Sequence, residues 1–394
     1  MKEGWKIRKL GEITSFVGDG DWIESKDQSP GGIRLIQTGN IGGGIYKDKG
    51  ERAKYISPET FYRLHCTEIF AGDCLVSRLP DPIGRACILP KLNERTITAV
   101  DCSIIRFKPT FLPQLFVYYS LSNRYQSYIN TNATGTTRKR ISRKRLEQAP
   151  IPIPPIHEQE RIVAELDCLT GIIEKKKQQL EELAKLAQSI FYDMFGDPIV
   201  NEKGWETSNI GSLCADVRYG TSRPACDGGK YAYLRMGNLT YEGSIDLTDT
   251  KRIDIPDNEI EKCIVRKGDV LFNRTNSLDL VGKTCLFDLD EEMVIAGYII
   301  RVRLNRLVLP VYLVRTLNTS RYKNVFRALA KGAVNQANIN AKEFQSVVIP
   351  VPPLNLQEHF AKKIEAIEKE KELVKRSIVE TETLFNSRMD YWFN

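Results

Sequence analysis

The sequence predicts an α+β protein made twice over. Two mixed α/β domains are related by an internal pseudo-two-fold repeat and separated by an antiparallel coiled coil of two long helices. Three observations lead there. Segments recur about 198 residues apart: Ala71–Arg78 returns as Lys267–Arg274, and Ile83–Leu89 returns as Val281–Phe287. Each copy ends in a proline strap, Ile151-Pro-Ile-Pro-Pro155 and Ile349-Pro-Val-Pro-Pro353. A long helical stagger follows each strap. A period this long excludes a solenoid, whose repeats run at roughly 20–50 residues.

The first block spans residues 1–150. Cys74–Val76, Ala86–Leu89 and the run through Val100, Ile104, Ile105 and Phe107 are rich in apolar residues and read as strands. Leu112–Asn130 reads as one helix, with Leu115, Tyr118, Tyr119 and Tyr125 on recurring turns. Gly42-Gly43-Gly44 reads as a turn. The strap and first long helix fill 151–200. Proline lacks the amide donor, so the strap reads as a stiff extended segment. Apolar residues then step by four and three through Ile162, Leu166, Leu169, Ile173, Leu180, Leu183, Ala187, Ile190 and Met194, broken only at Lys176. That is a coiled-coil seam.

The second block, 201–347, has the same grammar, with a strand at Ile299–Leu304 and a helix over Leu309–Ala330. The second strap and helix fill 348–394. Their seam runs through Phe360, Ile364, Ile367, Val374, Ile378, Phe385 and Trp392, interrupted by Lys371, Thr381 and Arg388. Two such stripes are covered most economically by each other. The order block, helix, block, helix makes them antiparallel.

The chain has 394 residues, 42% hydrophobic and 27% charged, as expected of a globular protein with ample core. No apolar run is long enough to span a bilayer, and the N-terminus lacks a signal-peptide core. Nine cysteines without a Cys-x-x-Cys pair, and only three histidines, argue against zinc and for reduced thiols. The net charge is +7, and it is unevenly placed. Residues 1–150 carry +9 and 201–350 carry +3, while 151–200 carry −4. Each block ends in a basic tract without Asp or Glu, Cys102–Leu146 and Met293–Lys342. Such tracts repel themselves unless a polyanion relieves them.

Catalytic motifs are missing. There is no phosphate loop: Gly282-Lys283-Thr284 lacks the upstream glycine, and its counterpart Gly84-Arg85-Ala86 marks it as structural. No dinucleotide fingerprint, nucleophile elbow or Asn/Asp-Pro-Pro-Tyr tetrapeptide of amino methyltransferases occurs. The chain offers readout chemistry instead. Arginine can bridge guanine O6 and N7, and Asn or Gln can bridge adenine N6 and N7. Gln37, Asn40 and Arg78 lie in glycine-rich loop contexts of the first block; Arg235, Asn238, Arg274 and Asn276 occupy matching places in the second. Alternatively, the Gly-Asn pairs are turn residues and the arginines pair with Asp73 and Asp269. Arg138, Lys139, Arg140, Arg143, Lys144 and Arg145 make six bases within eight residues, suited to phosphates. The counterpart is amide-rich, with Asn335 and Gln336, and suits phosphates or base edges.

The duplicated strap with its Gln159-Glu160 and Gln357-Glu358 pairs, the Gly72-Asp73 and Gly268-Asp269 pairs, and the long helices together resemble the DNA specificity subunits of Type I restriction–modification systems. The resemblance covers the whole chain. It implies that each block is a target-recognition domain reading one half of a bipartite, asymmetric site in double-stranded DNA. It implies helices that set the spacer and dock two methyltransferase subunits, and a prokaryotic cytoplasmic location. No cofactor is expected on this chain. S-adenosylmethionine, and ATP with Mg in a full complex, belong to partner subunits, which can include restriction translocases. A single-chain DNA-modifying enzyme and a two-headed protein tether are the alternatives.

Overall fold

The computed structural model describes residues 4–333 and 336–394. The chain divides into two compact units, Met1–Gln178 with Lys375–Asn394, and Gln179–Val374. Each unit holds one block and a piece of both long helices.

In the first unit, strand Lys6–Lys9 pairs antiparallel with strap strand Pro150–Ile153, placing Lys6 opposite Ile153. The strap thus lies in a two-stranded ribbon, where prolines without amide hydrogens are tolerated. A four-stranded sheet follows in the order Thr14–Asp19, Cys102–Phe107, Cys74–Ser77, Ala86–Ile88. A second sheet orders Gln28–Ser29, Lys54–Ile56, Ile33–Ile36, Thr96–Thr98, Glu68–Ile69, with the pair Ile33–Ile36 and Thr96–Thr98 parallel. Strand Cys74–Ser77 is buried throughout and divides two cores by its period of two. Cys74 and Val76 face the helices, and Leu75 faces Ile36, Ile69 and Cys87.

The second unit repeats this plan. Thr207–Asn209 pairs with Val348–Pro350. The four-stranded order is Cys214–Tyr219, Ile299–Leu304, Val270–Asn273, Thr284–Leu286. Val270 and Phe272 face the helices, Leu271 the other core. This unit adds a small sheet of Thr275–Asn276, Gln336–Asn338 and Lys331–Ala333.

The single helix expected over Leu112–Asn130 is two, Pro113–Tyr119 and Asn123–Asn132. The Ser122 hydroxyl accepts from the Tyr125 amide at 3.3 Å and starts the second. In the second unit Thr319 caps Ser320–Leu329 after Pro310–Leu317 in the same way.

The long helices are Ile156–Phe195 and Leu354–Phe393. At 1.5 Å per residue each is about 60 Å long. In the first unit Glu165 pairs with Arg388 and the Lys176 ammonium donates to Ser377 Oγ at 2.6 Å. One number falls as the other rises, so these segments run antiparallel. Lys176, the break in the apolar stagger, is thus matched to a small polar partner. In the second unit Phe191 and Phe195 meet Phe360, with ring centroids 5.8 and 5.1 Å apart. The seam departs from the expected one at the helix ends. Phe191, Phe195, Met389 and Phe393 are buried, whereas Ile190 and Met194 are half-buried. There the helices also pack on their own blocks: Phe195 meets Tyr312, and Phe393 meets Tyr119.

Candidate nucleic-acid interface

The repeated motifs prove to be framework. The buried Gln159 side chain accepts from Leu112 N at 2.9 Å and donates to Pro154 O at 2.9 Å, tying strap, helix and block together. Gln357 does the same with Leu309 N at 2.8 Å and Pro352 O at 2.8 Å. Asp73 accepts from Phe70 N and forms a two-pronged pair with Arg106; Asp269 accepts from Arg266 N and pairs with Arg303. These strand arginines, not Arg78 and Arg274, are the partners of the two Gly-Asp aspartates. Gly84 and Gly282 have φ of +80° and +81°, and an added Cβ would collide with Ile129 or Phe326. The Gly-Lys-Thr run is therefore a turn, and Lys283 reaches back to Leu239 O at 3.0 Å.

The Gly-Asn loops divide into supports and exposed edges. Asn40 is buried, accepting from Gln37 N at 3.0 Å and donating to Lys47 O at 2.9 Å. Asn238 is buried with the same pattern, to Arg235 N and Asp246 O, each at 2.8 Å. Both amides are occupied within their own loops, so in this conformation neither presents a base-reading edge. Gln37 and Arg235 are half-buried at the loop margins, and Arg235 pairs with Asp249 at 2.7 Å.

Arg78 and Arg274 stand at equivalent points just beyond their strands, yet their surroundings differ. Arg78 N donates to Asp101 O at 2.9 Å and Arg274 N to Tyr298 O at 3.0 Å. Ile141 N donates to Arg78 O, and Ile339 N to Arg274 O. The Arg78 side chain is only 4% exposed, lying 3.3 Å from Asp19 and donating to Val100 O. Burial weakens its hold on the proton, and Asp19 opposes that effect. Asp19 also meets Arg143 at 3.7 Å, and Asp101 lies 2.9 Å from Arg140. Arg274 is half-buried. It lies over the Tyr219 ring at 5.0 Å and donates to Asn338 Oδ1 at 2.7 Å. The Tyr219 hydroxyl accepts from Ala341 N at 2.8 Å. Asp19, Asp101, Tyr219 and Tyr298 escaped the sequence reading because they sit at strand ends without a local motif. Aligning the copies on the two strands would have found them.

The basic tract begins on a tight hairpin in which Thr134 and Arg140 exchange backbone hydrogen bonds of 2.9 and 2.8 Å. Gly135, at φ +125°, makes the turn possible. Arg138, Lys139, Lys144 and Arg145 are exposed, whereas Arg140 and Arg143 are engaged with the carboxylates. In the second unit the equivalent hairpin is the added sheet. Gln336 is exposed there, Asn276 is half-buried opposite Ala337, and Asn335 lies outside the described residues.

A duplicated chain with one conserved framework and two differently furnished arginine pockets defines a recognition protein with two unlike reading heads. The chain belongs to the family described as the Type I restriction modification DNA specificity domain, whose model matches residues 2–185 and again 202–383. The EcoKI specificity subunit of Escherichia coli K12 is 22% identical over 93% of this chain and 82% of the relative. The MjaVIII specificity subunit of Methanocaldococcus jannaschii is 23% identical over 96% of this chain and 91% of the relative. The fold is also that of two solved chains. One is the S subunit of a Type I restriction–modification system from M. genitalium, with TM-score 0.56 and 14% identity over 99% of this chain and 96% of that one. The other comes from a study of complex assembly and conformational transition in the type I system, with TM-score 0.59 and 18% identity over 100% and 98%. Among the described residues no helix is long and apolar enough to cross a membrane.

Proposed function

We propose that this chain is the non-catalytic DNA-recognition subunit of a Type I restriction–modification complex. Each unit contacts one half of an asymmetric bipartite site in double-stranded DNA. The two long helices set the spacer and dock two methyltransferase subunits. Those subunits carry S-adenosylmethionine, and restriction translocases that use ATP and Mg can join them. The assembly works in a prokaryotic cytoplasm. The observation that carries this reading is the doubled framework with unlike loops, since a symmetric reader would need no divergence between copies.

The candidate contacts are the exposed bases Arg138, Lys139, Lys144 and Arg145 for phosphates. Gln37, Arg235, Arg274, Asn276 and Gln336 are candidates for base edges. The test is duplex binding by the assembled complex across a salt series. Each phosphate contact contributes about 0.9 to the slope of log affinity against log salt. Replacing the four exposed bases with Gln should make that slope shallower by up to about 3.6 and leave the preferred sequence unchanged. An unaltered slope would remove the hairpin from the interface.

A further inference from the structure

Building on the reading that each unit contacts one half-site, we infer that the pockets around Arg78 and Arg274 make the two half-sites differ. The first unit selects a base edge bearing an amino group, and the second selects guanine.

Backbone hydrogen bonds fix the equivalences. Arg78 matches Arg274, and Asp101 matches Tyr298, because each arginine amide donates to that residue's carbonyl. Arg140 matches Asn338, since each precedes the isoleucine that donates to the arginine carbonyl. Asp19 and Tyr219 both end the edge strand of the four-stranded sheet and pair with equivalent positions, Ser103 and Ile300. One framework site thus holds an arginine near two carboxylates in one unit; in the other, tyrosines stand at those two positions and the Tyr219 ring lies against the arginine.

The chemistry differs accordingly. In the first unit Arg78 is buried and held by Asp19 and Val100 O, so its donors are not available to a ligand. The polar atoms still partly open are the Asp19 and Asp101 carboxylates, 31% and 27% exposed. A carboxylate repels phosphate and only accepts hydrogen bonds, so the groups it can take from the major groove of DNA are the amino groups of cytosine or adenine. Arg140 and Arg143 lie beside these acids, at 2.9 Å from Asp101 and 3.7 Å from Asp19. In the second unit no carboxylate faces Arg274 among its described contacts. One arm of its guanidinium bonds Asn338; its Nε is buried without a partner, like that of Arg78, but the residue as a whole is half-buried where Arg78 is buried. The Tyr219 ring supports its plane. A supported, part-open fork of donors matches O6 and N7 of guanine.

The experiment expresses the chain with its methyltransferase subunits in a host free of N6-methyladenine and maps methylated motifs. Wild type is compared with Arg274→Ala, Arg274→Lys and the paired swap D101Y/R140N, which removes both ions together. A lost bidentate contact corresponds to roughly 5- to 150-fold in discrimination. Arg274→Ala should relax one G·C position by that factor in one half-site, and Arg274→Lys should relax the same position less. The D101Y/R140N swap should alter the other half-site alone. Unchanged base preferences in both Arg274 variants, or changes in both halves from either, overturn the inference. Loss of all methylation in Arg274→Ala together with an unchanged motif in Arg274→Lys overturns it too. A wild-type chain that yields no bipartite motif refutes the underlying reading, and the inference falls with it.

Discussion

Gln357 shows how one side chain can organise a unit. Its fully buried amide links the start of the second long helix to the strap carbonyl of Pro352 and to the loop amide of Leu309. Gln357→Ala leaves those groups without partners, at about 1–3 kcal/mol for a buried unsatisfied group. Thermal melting should show that loss in the second unit, and Gln159→Ala should show it in the first. Lys323 behaves differently. It is buried, donates to Gly282 O at 3.2 Å and Asn318 Oδ1 at 2.7 Å, and lies 4.5 Å from the Tyr241 ring. Burial pulls its ammonium down to about 8. The unfolded lysine keeps its proton to about 10.4, so between those values the unfolded chain binds more protons and stability rises with pH. The handicap is fully present below pH 8. Lys323→Met should remove up to about 3 kcal/mol of that pH dependence between pH 8 and 10. Identical pH slopes in the two proteins would contradict this account.

The elements were largely legible, for physical reasons that differ from case to case. The seams of the long helices could be read because burial on one stripe imposes a 3–4 spacing, and Ile162, Leu166, Phe360 and Ile364 are buried where that spacing puts them. The helix ends could not, because Phe191, Phe195 and Met389 also answer to their own blocks. The break at Ser122 was missed because a hydroxyl that caps a new helix also fits inside a continuous one. The Gly-Asn loops were recognised as special, but sequence spacing cannot say whether an amide points inward; Asn40 and Asn238 do. The aspartates and tyrosines of the arginine pockets come together only through strand register. If the helices set the spacer, deleting one heptad from each, seven residues at matched positions of the antiparallel pair, should change the number of bases between half-sites. The half-sites themselves should stay the same. An unchanged spacer would refute that role.

At the scale of the molecule, duplication supplies one scaffold and divergence supplies two readouts. The framework residues recur because both blocks need the same strap, the same aspartate–arginine lock and the same glutamine tie. The exposed residues differ, with bases on the Thr134–Arg140 hairpin of one unit and amides and tyrosines in the other. A chain with two unlike halves of this kind directs methylation to an asymmetric, bipartite DNA sequence if the proposed function holds. The most direct measurement is a genome-wide map of N6-methyladenine in the source cell, with and without the chain. The account predicts that deletion abolishes methylation at one bipartite motif with unlike halves and leaves all other motifs intact. A map that is the same in both cells would contradict it.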